Sequence, residues 1–328
     1  MPSELIAIST EAKLVGPSAA TVPALIAGSG AAACFAWEEF IEAEVGNQHT
    51  RRAYRRAVTR FCHFCTAHGI QNLQQITPGL VGRYFQQDNR SVPTKKLDLA
   101  ALRRFFDILV SRHAIMLNPA ASVRGERYHV IEGKTPEITK KQARSLLASI
   151  DTCNVVGLRD RAIIATLIYT AARVGAIARL RRSDLRHDAD QWVFRFHEKG
   201  GKSRAIPLRH DLQQFLLAYL DAAGGLTESP GDAPVFRSAM RKTKRLSDCV
   251  MTAHDMRRML KRRLKRAGLP ARLSCHSFRT ATVTDLLEQG LPLPDVQELA
   301  GHADPRTTRL YDRRQRRVTR NVVERISI

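Results

Sequence analysis

Towards its C-terminal end the chain reads LAGHADPRTTRLY, from Leu299 to Tyr311. Gly301 is typical of the end of one short helix, and the pair Asp304-Pro305 is typical of the start of the next. We expect this second helix to carry Tyr311 about two turns along. Because the chain bends between the helices, the nine residues from His302 to Tyr311 can return the tyrosine toward the histidine. The segment therefore predicts a phenol beside an imidazole.

Tyr311 needs activation, because a phenol has a pKa near ~10. The chain offers suitable groups upstream: Arg173, Lys199, and His276 followed three positions later by Arg279. Residues three apart on a helix share a face, so His276 and Arg279 can hold one phosphate. Lys199 lies at the tip of a predicted β-hairpin, where it can protonate a leaving oxygen. These residue types indicate a tyrosine that attacks DNA, because the same cations hold a phosphodiester and stabilise its developing charge.

Each of these groups also has an ordinary structural interpretation. A single tyrosine on a helix is most often a core or surface residue. A lysine in a turn is usually solvated, and most His-x-x-Arg pairs are surface residues without a shared role. Other catalytic motifs are poorly supported. Gly201-Lys202-Ser203 resembles the end of a phosphate-binding loop, but Phe196 stands where the first glycine is required. The sequence has no His-Glu-x-x-His and no clear carboxylate cluster for two metals, so ATP use and metal-assisted hydrolysis are not favoured.

The charge of the chain favours a polyanionic partner. The 328 residues contain 53 Lys and Arg against 31 Asp and Glu, a net charge of +22. Release of condensed counterions gives such a chain sequence-independent affinity for DNA or RNA. The excess of positive charge is densest from Arg237 to Arg279 and from Arg306 to Arg325. Residues 1–48, in contrast, carry six Glu and one Lys. A charge run is often only a solvated surface, but two runs that flank the candidate residues favour a nucleic-acid face.

Residues 253–268 predict a basic amphipathic helix. Its apolar residues Met256, Met259, Leu260 and Leu264 share one side, and its cations share the other. Such a helix can also lie on a membrane. The sequence has no uninterrupted apolar span of about 20 residues that would cross one, so DNA is the favoured partner. Residues 14–36 lack a basic leader, which favours a flexible tail over a secretory signal.

The six cysteines indicate reduced thiols in a cytosolic protein rather than a disulfide scaffold. Cys62 and Cys65, with His63 and His68 nearby, leave a zinc site as an alternative. No second ligand pair follows at zinc-finger spacing, and the segment reads as continuous helix. We therefore expect two small residues in or beside a core.

The pattern along the chain predicts two folded domains. A helical period extends from Trp37 to His113, and the prolines and glycines of residues 118–136 indicate a linker. Thr139 to Gln142 reads as a capping box that opens a new helix. The predicted fold is mainly α with a small antiparallel β-sheet. It comprises a flexible tail over 1–34, a helical DNA-binding domain over 35–117, a linker over 118–136 and a catalytic domain over 137–328.

Four segments together resemble the tyrosine recombinase (phage integrase) family. The family's first arginine motif, roughly Thr-Gly-x-Arg-x-x-Glu-Leu, is matched by Thr170–Ile177, and its hairpin motif by Glu198–Leu208. His276 and Arg279 match the His-x-x-Arg box, and Leu299–Tyr311 matches the closing pattern Leu-x-Gly-His…Thr-Thr-x-x-Tyr. The likeness covers nearly the whole chain from about residue 37.

Three places depart from the family pattern. Ala176 replaces the usual acidic residue, which alters the support of Arg173 rather than the chemistry. Thr280 replaces a common histidine, and Ala171-Ala172 stands where a helix-breaking glycine is usual. All six reacting positions are filled, so an active enzyme is expected.

The resemblance implies an N-terminal four-helix core-binding (SAM-like) domain and an α+β tyrosine-recombinase catalytic domain. It implies that Tyr311 attacks a DNA phosphodiester and becomes joined to the 3′ phosphate. Arg173, Arg279 and His302 are expected to hold the non-bridging oxygens, and His276 to assist the phenol. Lys199 is expected to protonate the departing 5′ oxygen. Cationic side chains are expected to stabilise the charge that metal ions stabilise in nucleases, so no cofactor is expected. The covalent link to the tyrosine conserves the energy of the phosphodiester bond, so no ATP is expected.

The implied function is site-specific recombination of double-stranded DNA, as integration, excision or resolution of a mobile element or replicon. Two alternatives stay open: an accessory DNA-binding protein of the same fold that has lost catalysis, and a type IB topoisomerase-like enzyme that relaxes supercoils. Candidate DNA contacts are Arg51, Arg52, Arg55, Lys202, Arg204, Arg257, Arg258 and Lys261.

The implied assembly is a homotetramer on two DNA sites, in which both domains of each chain clamp the duplex. The last apolar residues, Val322, Val323 and Ile326, either dock on a neighbouring protomer or pack locally. Accessory DNA-bending proteins or helper recombinases are further partners. The expected location is the bacterial cytoplasm, in association with the nucleoid.

Overall fold

The computed structural model describes residues 22–43, 45–127, 135–188, 190–197, 203–225 and 232–312. The chain divides into two compact units, Met1–His129 and Val130–Ile328. The division falls inside the segment 118–136 that the sequence indicates as a linker. Residues 118–127 of that segment belong to the first unit: Asn118 donates a 2.7 Å hydrogen bond to Asp107, and Ala120 is fully buried.

The first unit is built from helices around an aromatic core. Its helices are α1 Ala24–Ala27, α2 Ala31–Glu42, α3 Gln48–Ala67, α4 Pro78–Gln87 and α5 Val92–Ser111. Helix α4 begins with the Thr77 side chain accepting a hydrogen bond from the backbone N–H of Leu80 and with proline in its first position. The core centres on rings from α2, α3 and α5 that are almost fully buried: Trp37, Phe40, Phe61, Phe105 and Phe106.

The tail predicted over residues 1–34 is wrong for residues 24–34. Leu25 and Ile26 of α1 are buried in the core of the first unit, and α2 begins at Ala31. The hydroxyl of Ser29 accepts a 2.9 Å hydrogen bond from the backbone N–H of Leu73, which fixes the connection between the helices. Gly30 has a φ of 96°, a conformation that glycine adopts at little cost. Residues 1–21 of the predicted tail lie outside the described residues.

Cys62 and Cys65 lie one turn apart on α3 and are buried in the first unit's core. Burial raises the pKa of each thiol to about 12. A thiol with so high a pKa stays protonated at neutral pH, and the thiolate is the form that binds metals. The predicted burial of this pair is confirmed.

The second unit combines helices with two small antiparallel sheets. Its helices are α6 Lys140–Ala148, α7 Val155–Thr170, α8 Val174–Ala178, α9 His210–Ala222, α10 Ala253–Arg266, α11 Cys275–Glu288, α12 Leu293–Ala300 and α13 Pro305–Arg309. Its strands are β1 Leu185–Asp188, β2 Gln191–His197, β3 Ser203–Pro207, β4 Arg237–Ala239 and β5 Leu246–Val250. The strands pair in the orders β1-β2-β3 and β4-β5. The predicted fold class, mainly α with a small antiparallel sheet, is confirmed.

The strands β2 and β3 form the predicted hairpin. Val193 pairs with Pro207 and His197 with Ser203, which alternates side chains between the two faces of the sheet. Phe194 and Phe196 point into the core and are fully buried. Residues 198–202, which connect the strands and include Lys199 and Lys202, lie outside the described residues.

Helix α7 is the central element of the second unit. Ala162, Ile163, Ile164 and Leu167 are all almost fully buried, because α6, α9, α10 and α11 pack around it. In its second turn Asp160 is buried and accepts hydrogen bonds from Arg159 and, at 2.7 and 2.9 Å, from Arg263 of α10. This paired carboxylate anchors α10 to α7.

Helix α10 has the two faces that its sequence predicts. Met256, Met259, Leu260 and Leu264 are buried, and most of its cations are exposed. Across the ranges described, no helix combines the length and the apolar character that crossing a membrane requires.

Candidate active site

Arg279 is a buried arginine that joins two helices. It lies in the second turn of α11, with 1% of its surface exposed. Its Nη1 donates a 2.7 Å hydrogen bond to the carbonyl oxygen of Ala171, the residue that ends α7. His276 lies one turn earlier on α11. Desolvation and the charges of Arg279 and Arg173 lower the pKa of His276, which favours the neutral imidazole at neutral pH.

Arg173 lies three residues beyond the last residue of α7 and caps the start of α8. Helix α7 stops because Ala171 adopts the left-handed conformation, with a φ of 49°. The exposed Arg173 side chain reaches the end of α12, where its Nη1 donates a 3.2 Å hydrogen bond to the carbonyl oxygen of Gly301. Arg173 and Arg279 therefore converge from α7 and α11 on the segment that carries His302.

His302 is a buried histidine held in a tight turn. Gly301 ends α12 with a φ of 61°, and the backbone N–H of His302 donates to the carbonyl oxygen of Gln297 at 3.1 Å. The Nδ1 atom lies 2.9 Å from the hydroxyl oxygen of Thr308. Burial, followed by the charges of Arg279, Arg173, His276 and Arg204, lowers the pKa of His302 to about 3. The ring is therefore uncharged at neutral pH, although it is surrounded by cations.

Tyr311 lies against His302, as the bend between the helices predicts. The two rings are nearly parallel, at 6°, with their centroids 5.8 Å apart. The tyrosine ring also packs on an apolar cluster formed by Ala171, Val283, Leu287, Val296 and Ala300. The prediction that α13 carries Tyr311 is wrong, because α13 ends at Arg309. Tyr311 follows in a turn, and its backbone N–H donates to the carbonyl oxygen of Thr308.

Four of the six predicted catalytic residues are thus linked by contacts. Arg279 bonds to the end of α7, Arg173 bonds to the residue before His302, and His302 stacks on Tyr311. His276 joins this group through the electrostatic effect of the arginines on its pKa. Lys199 lies outside the described residues. The group can bind an anion, and it includes a phenol and two neutral imidazoles.

Two sequence profiles match the chain. The profile of the Phage integrase family matches residues 136–317, and that of the Phage integrase N-terminal SAM-like domain matches residues 36–113. The chain belongs to the phage integrase family. It is 30% identical over 226 residues to the tyrosine recombinase XerC of Chlamydia muridarum, covering 69% of this chain and 68% of that relative. It is 26% identical over 307 residues to XerC of Xanthomonas campestris pv. campestris, covering 92% of this chain and 89% of that relative.

Solved structures of recombinases share the fold of this phage integrase family member. The XerH site-specific recombinase bound to difH in a pre-cleavage complex matches with a TM-score of 0.66 and 19% identity, over 92% of this chain and 94% of that chain. A lambda integrase tetramer bound to a Holliday junction matches with a TM-score of 0.65 and 17% identity, over 88% of this chain and 79% of that chain. The predicted family is confirmed.

The departures of this chain from the family pattern have structural counterparts. Ala171 takes the left-handed conformation at the position where glycine is usual. Ala176 supplies no carboxylate on α8, and Arg173 instead bonds to a backbone carbonyl. Thr280 is buried and donates a 3.0 Å hydrogen bond to the carbonyl oxygen of His276. Sequence reasoning missed the contact between Thr308 and His302, although the doubled threonine of the closing motif was its signal.

Arg204 of β3 lies close to the end of α12. Its Nη1 donates to the carbonyl oxygen of Glu298 at 3.2 Å and also to that of Leu299. Its guanidinium lies 5.7 Å from the centroid of the Phe196 ring. A contact between Arg204 and DNA stays a prediction, and this side chain already has partners within the protein.

The other candidate DNA contacts differ in their surroundings. Arg51 donates a 2.7 Å hydrogen bond to Glu42, and Arg55 lies 3.8 Å from the same carboxylate. The Nζ of Lys261 donates to the carbonyl oxygens of Ala271 and Leu273. Three are exposed side chains for which the described residues provide no ion pair: Arg52, Arg257 and Arg258. Contact of any of them with DNA stays a prediction, and Lys202 lies outside the described residues.

Proposed function

We propose that Tyr311 cleaves DNA by attacking a phosphodiester, and that this chain is a site-specific DNA recombinase. The bond from the tyrosine Oη to phosphorus forms while the bond from phosphorus to the 5′ oxygen breaks. The DNA is left with a 3′ phosphate joined to Tyr311 and a free 5′ hydroxyl. The observation that carries the proposal is the stacking of Tyr311 on His302, beside the arginines whose charges act on that histidine.

The two arginines provide the positive charge of the proposed site. Arg279 is held rigidly, because its side chain is buried and bonded to Ala171. Arg173 is exposed and bonded to Gly301, so it is available on the side of the site that faces solvent. Both bind the non-bridging oxygens of the phosphate and stabilise the charge that develops in the transition state.

The two histidines act as neutral groups. With a pKa of about 3, His302 adds no charge at neutral pH and acts as an uncharged hydrogen-bond donor to a phosphate oxygen. The lowered pKa of His276 keeps that ring free to accept the proton of the phenol. Lys199 donates a proton to the departing 5′ oxygen in this proposal.

The covalent bond makes the reaction reversible without an energy source. A free 5′ hydroxyl attacks the phosphotyrosyl bond, reforms a phosphodiester and releases the phenol. When the hydroxyl belongs to a partner duplex, the outcome is strand exchange. Exchange between two duplexes requires four strand cleavages, which is the basis for proposing a homotetramer on two sites. A lambda integrase tetramer bound to a Holliday junction, which shares this fold, supports that assembly.

The proposed docking of Val322, Val323 and Ile326 on a neighbouring protomer concerns residues outside the described ones. Deletion of residues 319–328 tests it, with the mass of the DNA complex as the measurement. Loss of the tetramer is expected, and an unchanged tetramer contradicts the docking.

Covalent trapping on nicked DNA tests the proposed chemistry. In a nicked duplex, cleavage releases the short fragment that carries the free 5′ hydroxyl. Without this hydroxyl the strand cannot be rejoined, so the adduct accumulates. We expect the wild-type chain to form an adduct with members of a randomised nicked pool, and Tyr311→Phe to form none while binding the same duplex. Tyr169→Phe is the matched control, because it removes a hydroxyl that bonds to Asp211 at 3.3 Å outside the proposed machinery.

Three outcomes separate the proposed function from its alternatives. Binding without any wild-type adduct indicates an accessory DNA-binding protein. Adducts that lead only to relaxation of supercoiled plasmids, and never to exchange between two sites, indicate a topoisomerase-like enzyme. Adducts together with exchange support a recombinase.

A further inference from the structure

Thr308 forms a buried hydrogen bond with the histidine of the proposed site. The Thr308 side chain is fully buried, His302 is 6% exposed, and the hydroxyl oxygen lies 2.9 Å from Nδ1. The backbone of the same residue supports Tyr311, since the Thr308 carbonyl oxygen accepts a 3.0 Å hydrogen bond from the tyrosine N–H. Thr308 therefore contacts both residues of the ring stack.

The direction of the Thr308 hydrogen bond follows from where its hydroxyl proton can go. Other buried threonines of this unit donate to the carbonyl oxygen four residues earlier: Thr166 at 2.8 Å and Thr170 at 2.6 Å. Among the described residues, the Thr308 hydroxyl has His302 Nδ1 as its side-chain partner. If Nδ1 carried the proton and donated, the buried hydroxyl proton of Thr308 would lack an acceptor, which is costly.

The protonation state of His302 restricts the choice further. A doubly protonated ring would also donate from Nδ1, but burial and the charges of Arg279, Arg173, His276 and Arg204 oppose that form. The neutral ring carries one proton, on Nδ1 or on Nε2. Donation by Thr308 to Nδ1 leaves that proton on Nε2.

We infer that Thr308 is a positioning residue that fixes His302 in the neutral tautomer with its proton on Nε2. In this tautomer Nε2 carries the proton, so it donates a hydrogen bond and cannot accept one. A non-bridging phosphate oxygen needs a donor, so this tautomer is the one that can serve the cleavage reaction. This part of the inference rests on the proposed function, whereas the tautomer itself does not.

The conservative variants of Thr308 separate a positioning role from simple packing. Thr308→Val keeps the shape and apolar contacts of the side chain and removes the hydroxyl. Thr308→Ser keeps the hydroxyl. Thr307→Val is the matched control, because Thr307 is the half-buried neighbour and lies on the same helix. Each variant is made in the full chain.

Nitrogen NMR of the full chain with isotope-labelled histidine measures the tautomer directly. The His302 signals are assigned by their loss in His302→Gln. We expect a protonated Nε2 and an unprotonated Nδ1 at neutral pH in the wild type, in Thr308→Ser and in Thr307→Val. In Thr308→Val we expect a mixture of the two tautomers, because the bias from the hydroxyl is gone. A wild-type ring protonated on Nδ1, or a ring unaffected in Thr308→Val, overturns the inference.

The rate of adduct formation on a nicked duplex selected with the wild-type chain is the second readout. We expect Thr308→Val to cleave about tenfold more slowly, since a net hydrogen bond biases an equilibrium by roughly that factor. Thr308→Ser should restore the rate, and DNA affinity should be unchanged in both. If Thr308→Val does not fold, the wild-type and Thr308→Ser spectra still decide the tautomer. If the wild type forms no adduct, the proposed function fails while the spectra still test the inference.

Discussion

Arg279 donates a 2.7 Å hydrogen bond to the carbonyl oxygen of Ala171, an alanine held in the left-handed backbone conformation. The bond joins α11 to the end of α7 and leaves Arg173 two residues beyond it. A left-handed residue with a Cβ is strained. The buried arginine compensates by giving the carbonyl of that residue a charged partner. The geometry of the two arginines therefore depends on the conformation of one alanine.

Replacement of Ala171 by glycine should relieve this strain. Ala172 provides the control, because it is equally buried and has a negative φ. Both changes remove one buried methyl group, so the difference between the two free energies of unfolding reports the strain of the left-handed backbone at Ala171. We expect Ala171→Gly to be more stable than Ala172→Gly by about 1–2 kcal/mol in urea unfolding. Equal stability of the two variants would contradict the strain at Ala171.

The free energy of unfolding of the second unit should fall as the pH is lowered past the pKa of an unfolded histidine, because His302 resists protonation in the folded chain. The pKa of His302 is about 3 in the folded chain, against roughly 6.5 in an unfolded chain. Between these values the unfolded chain binds a proton that the folded chain does not. The free energy of unfolding should therefore fall, from this group alone, by up to about 1.4 kcal/mol per pH unit. Above the unfolded pKa the contribution is constant.

Urea unfolding of wild-type protein and His302→Gln between neutral pH and pH ~5 measures this effect. The slope should be shallower in His302→Gln, because that variant lacks the titrating group. His187→Gln, a change at an exposed position on β1, controls for the loss of a histidine elsewhere. Identical slopes in wild type and His302→Gln would show that His302 does not titrate as proposed.

Arg204 offers a test between a DNA contact and a role inside the protein. Its bonds to the carbonyl oxygens of Glu298 and Leu299 hold the end of α12, just before His302. We expect Arg204→Ala to slow adduct formation by roughly 10–100-fold, because small displacements of a reacting group are costly. Its DNA affinity should depend on salt as that of the wild type does.

The matched control for Arg204 is Arg195→Ala, which removes one cation from the neighbouring strand β2. A phosphate contact at Arg204 would reduce the slope of log affinity against log salt by about 1. Such a reduction in Arg204→Ala, without a loss of cleavage rate at saturating DNA, would favour the DNA contact over the role in holding α12.

Much of the fold could be predicted from periodicity. The apolar stripe of Met256, Met259, Leu260 and Leu264 identifies α10 because each residue faces the same side of one helix. The β2–β3 hairpin could be predicted from its aromatic strands and glycine-rich turn. Helix α1 could not be predicted, because it lies in the segment that the sequence predicts as a flexible tail, and only tertiary packing buries Leu25 and Ile26.

One contact of the candidate site could be predicted from the sequence, whereas most of its geometry arises only on folding. The bend after Gly301 indicates that Tyr311 returns to His302, which the structure bears out. The end of α13 at Arg309 was not predictable, since Leu310 and Tyr311 continue an acceptable helical sequence. Alanine favours a helix, so the left-handed Ala171 depends on a contact with Arg279 from more than a hundred residues away. The burial of His302 and its bond to Thr308 likewise arise only on folding.

The most direct measurement of the central claim is identification of the residue that carries the DNA. The adduct is trapped on a nicked duplex, digested with protease and nuclease, and sequenced by tandem mass spectrometry. We predict a nucleotide 3′ phosphate on Tyr311, and no such peptide from Tyr311→Phe or from DNA-free protein. A phosphoryl bond to any other residue, or an undiminished adduct in Tyr311→Phe, would contradict the account.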